Sequence, residues 1–326
     1  MASVAIDYEV DPDTRTETPA PVVHDQWYER TRIIGLSRFA AAITILNILG
    51  HLVLGFEQSW ITPFLAVGTC YLVDLIGEGV ESGVEGRAPA WVRDGRLRLK
   101  QLAIFLLPAH ITGLAVGMLL YAAHQLWAVV FACAAAIASK YVVRLRRLPA
   151  TPGLPPYVHF LNPSNLGIAA TLVLFPMVGI APPYQFAENT SEAFDWLLPL
   201  IVIGTGSYLN IRATRRHILI LAWVVSFFCQ AAVRSLIHGA PLSAAAGPMT
   251  GFAFILFTFY MITDPGTTPS RPRQQIVFAA SVAAVYALLV ELHIVFDLFF
   301  ALAIVSAGRS LYAFWRRMGA AGRVSG

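Results

Sequence analysis

HFLNPSNLGIAATLVLFP, residues 159–176, sets a helix start, an apolar run and a proline break back to back. Asn162-Pro163-Ser164-Asn165 offers side-chain oxygens that can cap the first turn of the helix that follows, and Pro163 suits the first helical position, where no N–H is needed. The surroundings give this start its meaning. Of 326 residues, 57% are hydrophobic and only 13% are charged, and the mean hydropathy is +0.64. The chain therefore reads as an all-α, polytopic membrane protein. Non-helical backbone survives at membrane depth only where protein buries it or where it lines a cavity. Two readings of 159–176 stay open at this point: a helix that begins at the membrane surface with asparagine caps, or an interrupted helix whose polar tip serves a ligand.

Roughly 20 apolar residues cross a hydrocarbon core as a helix, and working outward from this stretch places about ten spans along the chain. They fall at 34–56, 59–77, 101–123, 125–140, 164–180, 195–211, 217–237, 247–263, 275–292 and 294–312. The last two form one apolar run too long for a single crossing, with Glu291, His293 and Asp297 marking the turn. Residues 1–33 are expected to be a disordered cytoplasmic tail, since they are polar and lack the basic-then-apolar order of a signal peptide. Residues 34–312 form the bundle, in halves of about 34–180 and 195–312, and 313–326 form a second cytoplasmic tail.

The basic residues test this ladder, because alternate connections should carry the Lys and Arg. One set holds Arg87, Arg93, Arg96, Arg98 and Lys100, then Lys140, Arg144, Arg146 and Arg147, then Arg212, Arg215 and Arg216, then Arg271 and Arg273, and both chain ends share the bias. The opposite set has only Arg234 at its edge. Both termini are therefore expected in the cytoplasm, with the protein in the inner (plasma) membrane among lipids. Topology accounts for the net charge of +4 better than nucleic acid does, so no nucleic-acid partner is expected. Cys70, Cys133 and Cys229 lie in apolar runs without CxxC spacing, which predicts packing rather than disulfides or metal. Nucleophile-elbow and phosphate-loop patterns are absent, which sets soluble-enzyme classes aside.

Two short strings could carry chemistry. One is Asn162-Pro163-Ser164-Asn165; the other is Thr263-Asp264-Pro265-Gly266-Thr267-Thr268-Pro269, at the end of the eighth span. Asp-Pro-Gly makes a tight turn through proline geometry and glycine freedom, and that alone could account for it. Asn162-Pro163 followed by Gly167 and Ala169 is echoed by Gly247-Pro248 followed by Gly251 and Ala253, in corresponding positions of the two halves. Five spans each would make those halves inverted, as in many carriers. His51 follows Asn47 by one turn, a spacing that permits either a polar interhelical contact, the expected one, or a ligand. Asp74 and Glu78 are placed near a span end where water reaches them, and Tyr208, Asn210, Arg212 and Arg215 read as a headgroup collar.

Lys140 near the end of the fourth span, the Phe160-Leu161-Asn162-Pro163-Ser164 loop and the Thr263-Asp264-Pro265 turn resemble the RnfD/NqrB family of ion-translocating redox complexes. Within that family, FLNPSNLG and TDPGTTP are most similar to the UnbU-type membrane proteins of enediyne biosynthesis clusters. The resemblance runs from about the third span to the tenth. It implies a ten-helix fold with a 5+5 inverted repeat, related to ammonium and urea channels, and flavin carried in the membrane. The family attaches FMN covalently to a Thr of an SGAT motif in the external loop after the fifth span. Here that loop reads APPYQFAENTSEAF, with Thr190 the nearest hydroxyl, so a non-covalent flavin (riboflavin or FMN) or quinone is the form expected. Cofactor-binding residues on this reading are Asn162, Pro163, Asn165, Thr263, Asp264 and Lys140. The implied function is a redox or electron-transfer subunit of enediyne or polyene assembly, with pathway enzymes docking on the basic cytoplasmic face. A carrier or channel for a small or lipophilic molecule, and a membrane anchor for pathway enzymes, are the alternatives.

Overall fold

The computed structural model describes residues 23–146, 157–181, 192–212 and 214–324. Helices dominate them: α1 (Val23–Leu49), α2 (Thr62–Val84), α3 (Leu99–Leu119), α4 (Leu126–Val142), α5 (Pro163–Leu174), α6 (Glu192–Arg212), α7 (His217–His238), α8 (Leu242–Ala246), α9 (Phe252–Leu256), α10 (Pro272–Glu291) and α11 (Asp297–Val324). Among the described residues six helices are long and apolar enough to cross a membrane, or seven if the bent segment 242–261 counts as one. The protein is thus an all-α, multi-pass membrane protein. Its outer faces are apolar, with Leu52, Phe64, Val84 and Leu236 exposed, as expected where the solvent is lipid.

Three two-stranded ribbons tie the helix ends. β1 (Val92–Arg93) and β2 (Arg96–Leu97) form a hairpin whose Asp94-Gly95 corner has φ of 54° and 68°, the left-handed geometry a two-residue turn needs. β3 (Leu120–Tyr121) pairs with β6 (Gly179–Ile180), joining the end of α3 to the chain beyond α5. β4 (Arg144–Arg146) pairs with β5 (Tyr157–His159), holding the end of α4 beside the start of α5.

Several boundaries differ from the sequence expectation. Residues 23–33 are not disordered but form the first turns of α1, and 313–324 continue α11 as helix. Between 23 and 33 a nucleated helix meets no Gly or Pro and propagates at little cost, whereas α11 runs on through Gly319 and Gly322. The fifth span is not 164–180: α5 has 12 residues and stops at Leu174, since Pro176 disfavours helical geometry at Phe175. At about 1.5 Å per residue it reaches about 18 Å, short of a hydrocarbon core near 30 Å. The connection after α1 is also longer than 57–58, because a π turn at Gly50–Leu54 ends on left-handed Gly55 and α2 begins only at Thr62. The turn at Glu291, His293 and Asp297 falls where expected, between α10 and α11.

Packing runs through small residues. α2 lies against α3 and α4, α4 against α5, α7 against α10, and α10 against α11. At the α4–α5 contact a Cβ on Gly167 would overlap the Ala132 carbonyl oxygen and sit 2.7 Å from the Ala136 Cβ. Only glycine allows the two backbones this approach. Cys70 and Cys133 are buried, Cys229 faces outward, and all three are free.

Candidate functional site

Asn162 caps α5 as its sequence suggested: Oδ1 accepts from the Asn165 N–H at 3.2 Å and from Ser164 Oγ at 2.8 Å, with Pro163 in the first turn. Its Nδ2 donates to Met261 O at 3.2 Å, across 99 residues of sequence. Met261 ends the second interrupted element, where two helical pieces, 242–250 and 252–261, meet at 63° and the second closes in a π turn (Phe257–Met261). The two broken elements therefore touch. Just beyond lies the Asp264 turn, in which Oδ1 accepts from the Gly266 N–H at 3.2 Å and Oδ2 from Thr267 Oγ1 at 2.8 Å. Thr263 Oγ1 donates back to Phe259 O at 2.8 Å.

These groups form part of the wall of a cavity of about 1250 Å³, above the roughly 300–1,000 Å³ of an ordinary ligand pocket. Lys140, Asn162, Pro163, Thr263 and Asp264 all line it. Asn165 does not: its Nδ2 donates to Phe299 O at 3.0 Å, tying α5 to α11. Five of the six residues singled out in the sequence thus share one cavity wall, and Asn165 stands apart from them.

The cavity has two different ends. Along α1 and α3 its wall is apolar, with Phe39, Leu46, Phe105, Ile111, Ala115 and Leu119. At the arginine-rich end it is lined by Glu78, Glu81, Glu85, Arg87, Lys140, Arg144, Arg212, Arg215, Arg216 and Asp264. Ile45 and Ile201 line it while 57% and 51% exposed, so the wall between α1 and α6 is open toward lipid. That seam is held by Phe39 stacked on Tyr260 at 4.6 Å and by Arg38 Nη1 donating to Tyr208 OH at 3.3 Å.

Behind the charged end stands a ladder of ion pairs that corrects the expected solvation of α2. Asp74 and Glu78 are fully buried. Asp74 accepts from Lys140 Nζ and from Tyr141 OH, both at 2.7 Å. Glu78 pairs with Arg87 and also accepts from the Ala90 N–H at 2.9 Å, and Glu81 pairs with Arg144. The spacing 74, 78, 81 marks one face of a helix, and that stripe was the available signal; its charges suggested water because no partner was assigned to them. Arg216, buried, donates to Thr268 Oγ1 at 3.1 Å and to the carbonyls of Thr214 and Thr268, both at 3.2 Å. His159, which also lines the cavity, is held below the ordinary imidazole range by burial first, with Asp264 and Asp74 pulling the other way.

Other assignments also shift. Asn210 is no headgroup residue: it is buried and donates to Gly206 O and Phe259 O, both at 2.8 Å. Arg212 and Arg215 are exposed but face the cavity mouth. His51 bonds Asn47 O at 3.0 Å within its own helix, and it is Asn47 that reaches α3, toward Met118 Sδ. His110, half-buried, sits between Thr44 and Tyr71, 2.8 Å from each hydroxyl. Thr190 and the rest of 182–191 lie outside the described residues, as do 1–22 and Arg147. No group of His, Cys, Asp and Glu among the described residues could hold a metal ion. No family model and no curated protein matches the chain.

Proposed function

We propose that the chain is a membrane-embedded redox or electron-transfer subunit of enediyne or polyene biosynthesis that holds a flavin- or quinone-like ring in the cavity between two halves of the bundle. One observation carries this: the Asn162 amide meets Met261 O where both interrupted helices end on the cavity wall. A non-covalent ring needs apolar faces and a few edge partners. Phe105, Phe259 and Tyr260 supply the faces. At the edge, Lys140 keeps two N–H donors after bonding Asp74, Asn162 keeps one amide hydrogen, and Thr263 keeps oxygen lone pairs. When bound, such a ring supplies electron or hydride transfer. The residues here orient it and set the Lys140 ammonium, paired with Asp74 behind it, beside its carbonyl edge.

The same reading takes ten crossings, counting with the six long helices the bent pair, α4, α6, and α5 completed by the extended chain to Ile180 that pairs with the end of α3, and treats α1–α5 and α6–α11 as a repeat. Its support is that α2 packs on α3 and α4 while α4 packs on α5, and α7 packs on α8 and α10 while α10 packs on α11. Pathway enzymes would dock on the arginine-rich face, with both termini cytoplasmic. Detergent-purified protein carrying a yellow or quinoid chromophore bleached by reductant is the expected result; colourless protein with no extractable cofactor would end the redox proposal. Transport of a lipophilic molecule is the second reading, favoured by the length of the apolar wall. It predicts substrate flux in liposomes without any bound redox group.

A further inference from the structure

We infer that the cavity takes an amphiphile with an anionic head and an extended apolar chain, its head at Lys140, Arg212, Arg215 and Arg216 and its chain along α1 and α3. This deepens the proposed function in one respect, since it rests on the cavity being the binding site, but it does not require a redox ring.

Charge defines the head site. Six cations line that end against four carboxylates. Arg87 meets Glu78, Glu81 and Glu85, Arg144 pairs with Glu81, Lys140 pairs with Asp74 behind the wall, and Asp264 is hydrogen-bonded within its own turn, so with Asp74 five carboxylates stand against the six cations. The surplus therefore gathers on the opposite wall, where Arg212 and Arg215 have no ion-pair partner among the described residues. A head bearing a carboxylate or phosphate would complete this wall with charge-assisted hydrogen bonds. Shape defines the chain. The lining follows α3 from Gln101 to Leu119, and at about 1.5 Å per residue that is about 27 Å, most of the roughly 30 Å hydrocarbon thickness. Ile45 and Ile201 give the chain a way in from the bilayer, through the thin seam between α1 and α6.

Two sources share this chemistry: a free long-chain acid and an anionic phospholipid. The full chain, purified in a neutral maltoside detergent, is offered radiolabelled oleate beside oleyl alcohol, and phosphatidylglycerol beside diacylglycerol. At least one anionic member should be retained about tenfold better than its uncharged twin, and that preference should fall with salt. Preference in the oleate pair alone assigns a free acid; in the phosphatidylglycerol pair alone, a membrane lipid. Arg212→Gln with Arg215→Gln, both at exposed positions that leave folding intact, should cut the preference about fivefold. Ala115→Phe should lower retention of charged and uncharged chains together. Equal retention of twins would overturn the anionic head, and retention unaffected by Ala115→Phe would overturn the location. Retention of none would overturn both, and with them the cavity as a binding site. Colourless protein that retains oleate would sink the redox proposal alone.

Discussion

Lys140→Met tests whether the ladder behind the cavity is as dry as its geometry implies. Asp74 is fully buried, and the Lys140 side chain is 17% exposed at 2.7 Å from Oδ1. Removing the ammonium leaves a carboxylate whose remaining side-chain partner is Tyr141 OH, while Oδ2 has none among the described residues. Breaking a buried pair from one side costs about 3–5 kcal/mol, because the surviving charge stays desolvated. Large domains lose about 2 °C of Tm per kcal/mol, so Tm in detergent should fall by about 6–10 °C. Adding Asp74→Asn should restore most of it, since the double variant buries no charge, and the coupling should be of the same order as the single loss. The assay is intrinsic fluorescence on heating for wild type, both singles and the double. A Tm for Lys140→Met within 2 °C of wild type, or a double no better than the single, would mean that water reaches Asp74 and that the pair is a surface contact worth about 0–1 kcal/mol.

Further outcomes follow from single contacts. Gly167→Ala should lower Tm by more than an ordinary surface change, about 1–3 kcal/mol, because α4 backbone rather than a movable side chain occupies the space; thermal melts of that variant beside Gly79→Ala, which meets nothing within 4 Å, would check it. Asn162→Ala should lose a cap worth about 1 kcal/mol together with cavity-bound ligand, whereas Asn165→Ala should cost about 1–3 kcal/mol through the orphaned Phe299 carbonyl and leave ligand content unchanged; extraction and quantification of ligand separates them. For His159, burial lowers the folded-state value below 6.5, so below that pH the unfolded chain binds more protons and stability declines as pH falls from 7 toward 5; melts against pH should flatten in His159→Gln. A fluorescent-protein fusion at the C terminus should glow and a periplasmic phosphatase fusion there should be silent, as an even number of crossings requires with the N terminus inside.

Element identity was legible because apolar run length and arginine alternation are long-range patterns that many residues vote on. The helix starts at Pro163, His217 and Pro272 lie within a few residues of those read from sequence, and so does the α10–α11 turn. What failed was local. The short reach of α5 turns on one residue, Pro176, and the π turn after α1 has no composition signature apart from the glycines at its ends. The two polar strings could be named from turn and cap chemistry, yet their meeting could not be derived that way. It depends on the bend at 242–261, which comes from Gly251 adopting an extended ψ of 141° between two helical pieces.

The charged groups show the other limit of sequence reading. Asp74, Glu78 and Glu81 stand on one helix face, and a charged face near a span end is ordinarily solvated. Each is buried here because a cation from a distant element meets it: Lys140 and Arg144 from the end of α4, and Arg87 from the loop beyond α2. The positive loops that report topology are thus partly spent inside the protein. Cations paired inside the protein add little to the surface field, which is carried by those without a buried partner. At the cavity mouth that remainder is Arg212 and Arg215, which have no ion-pair partner among the described residues, so part of the basic excess is left on the wall of the same cavity whose apolar side follows α1 and α3.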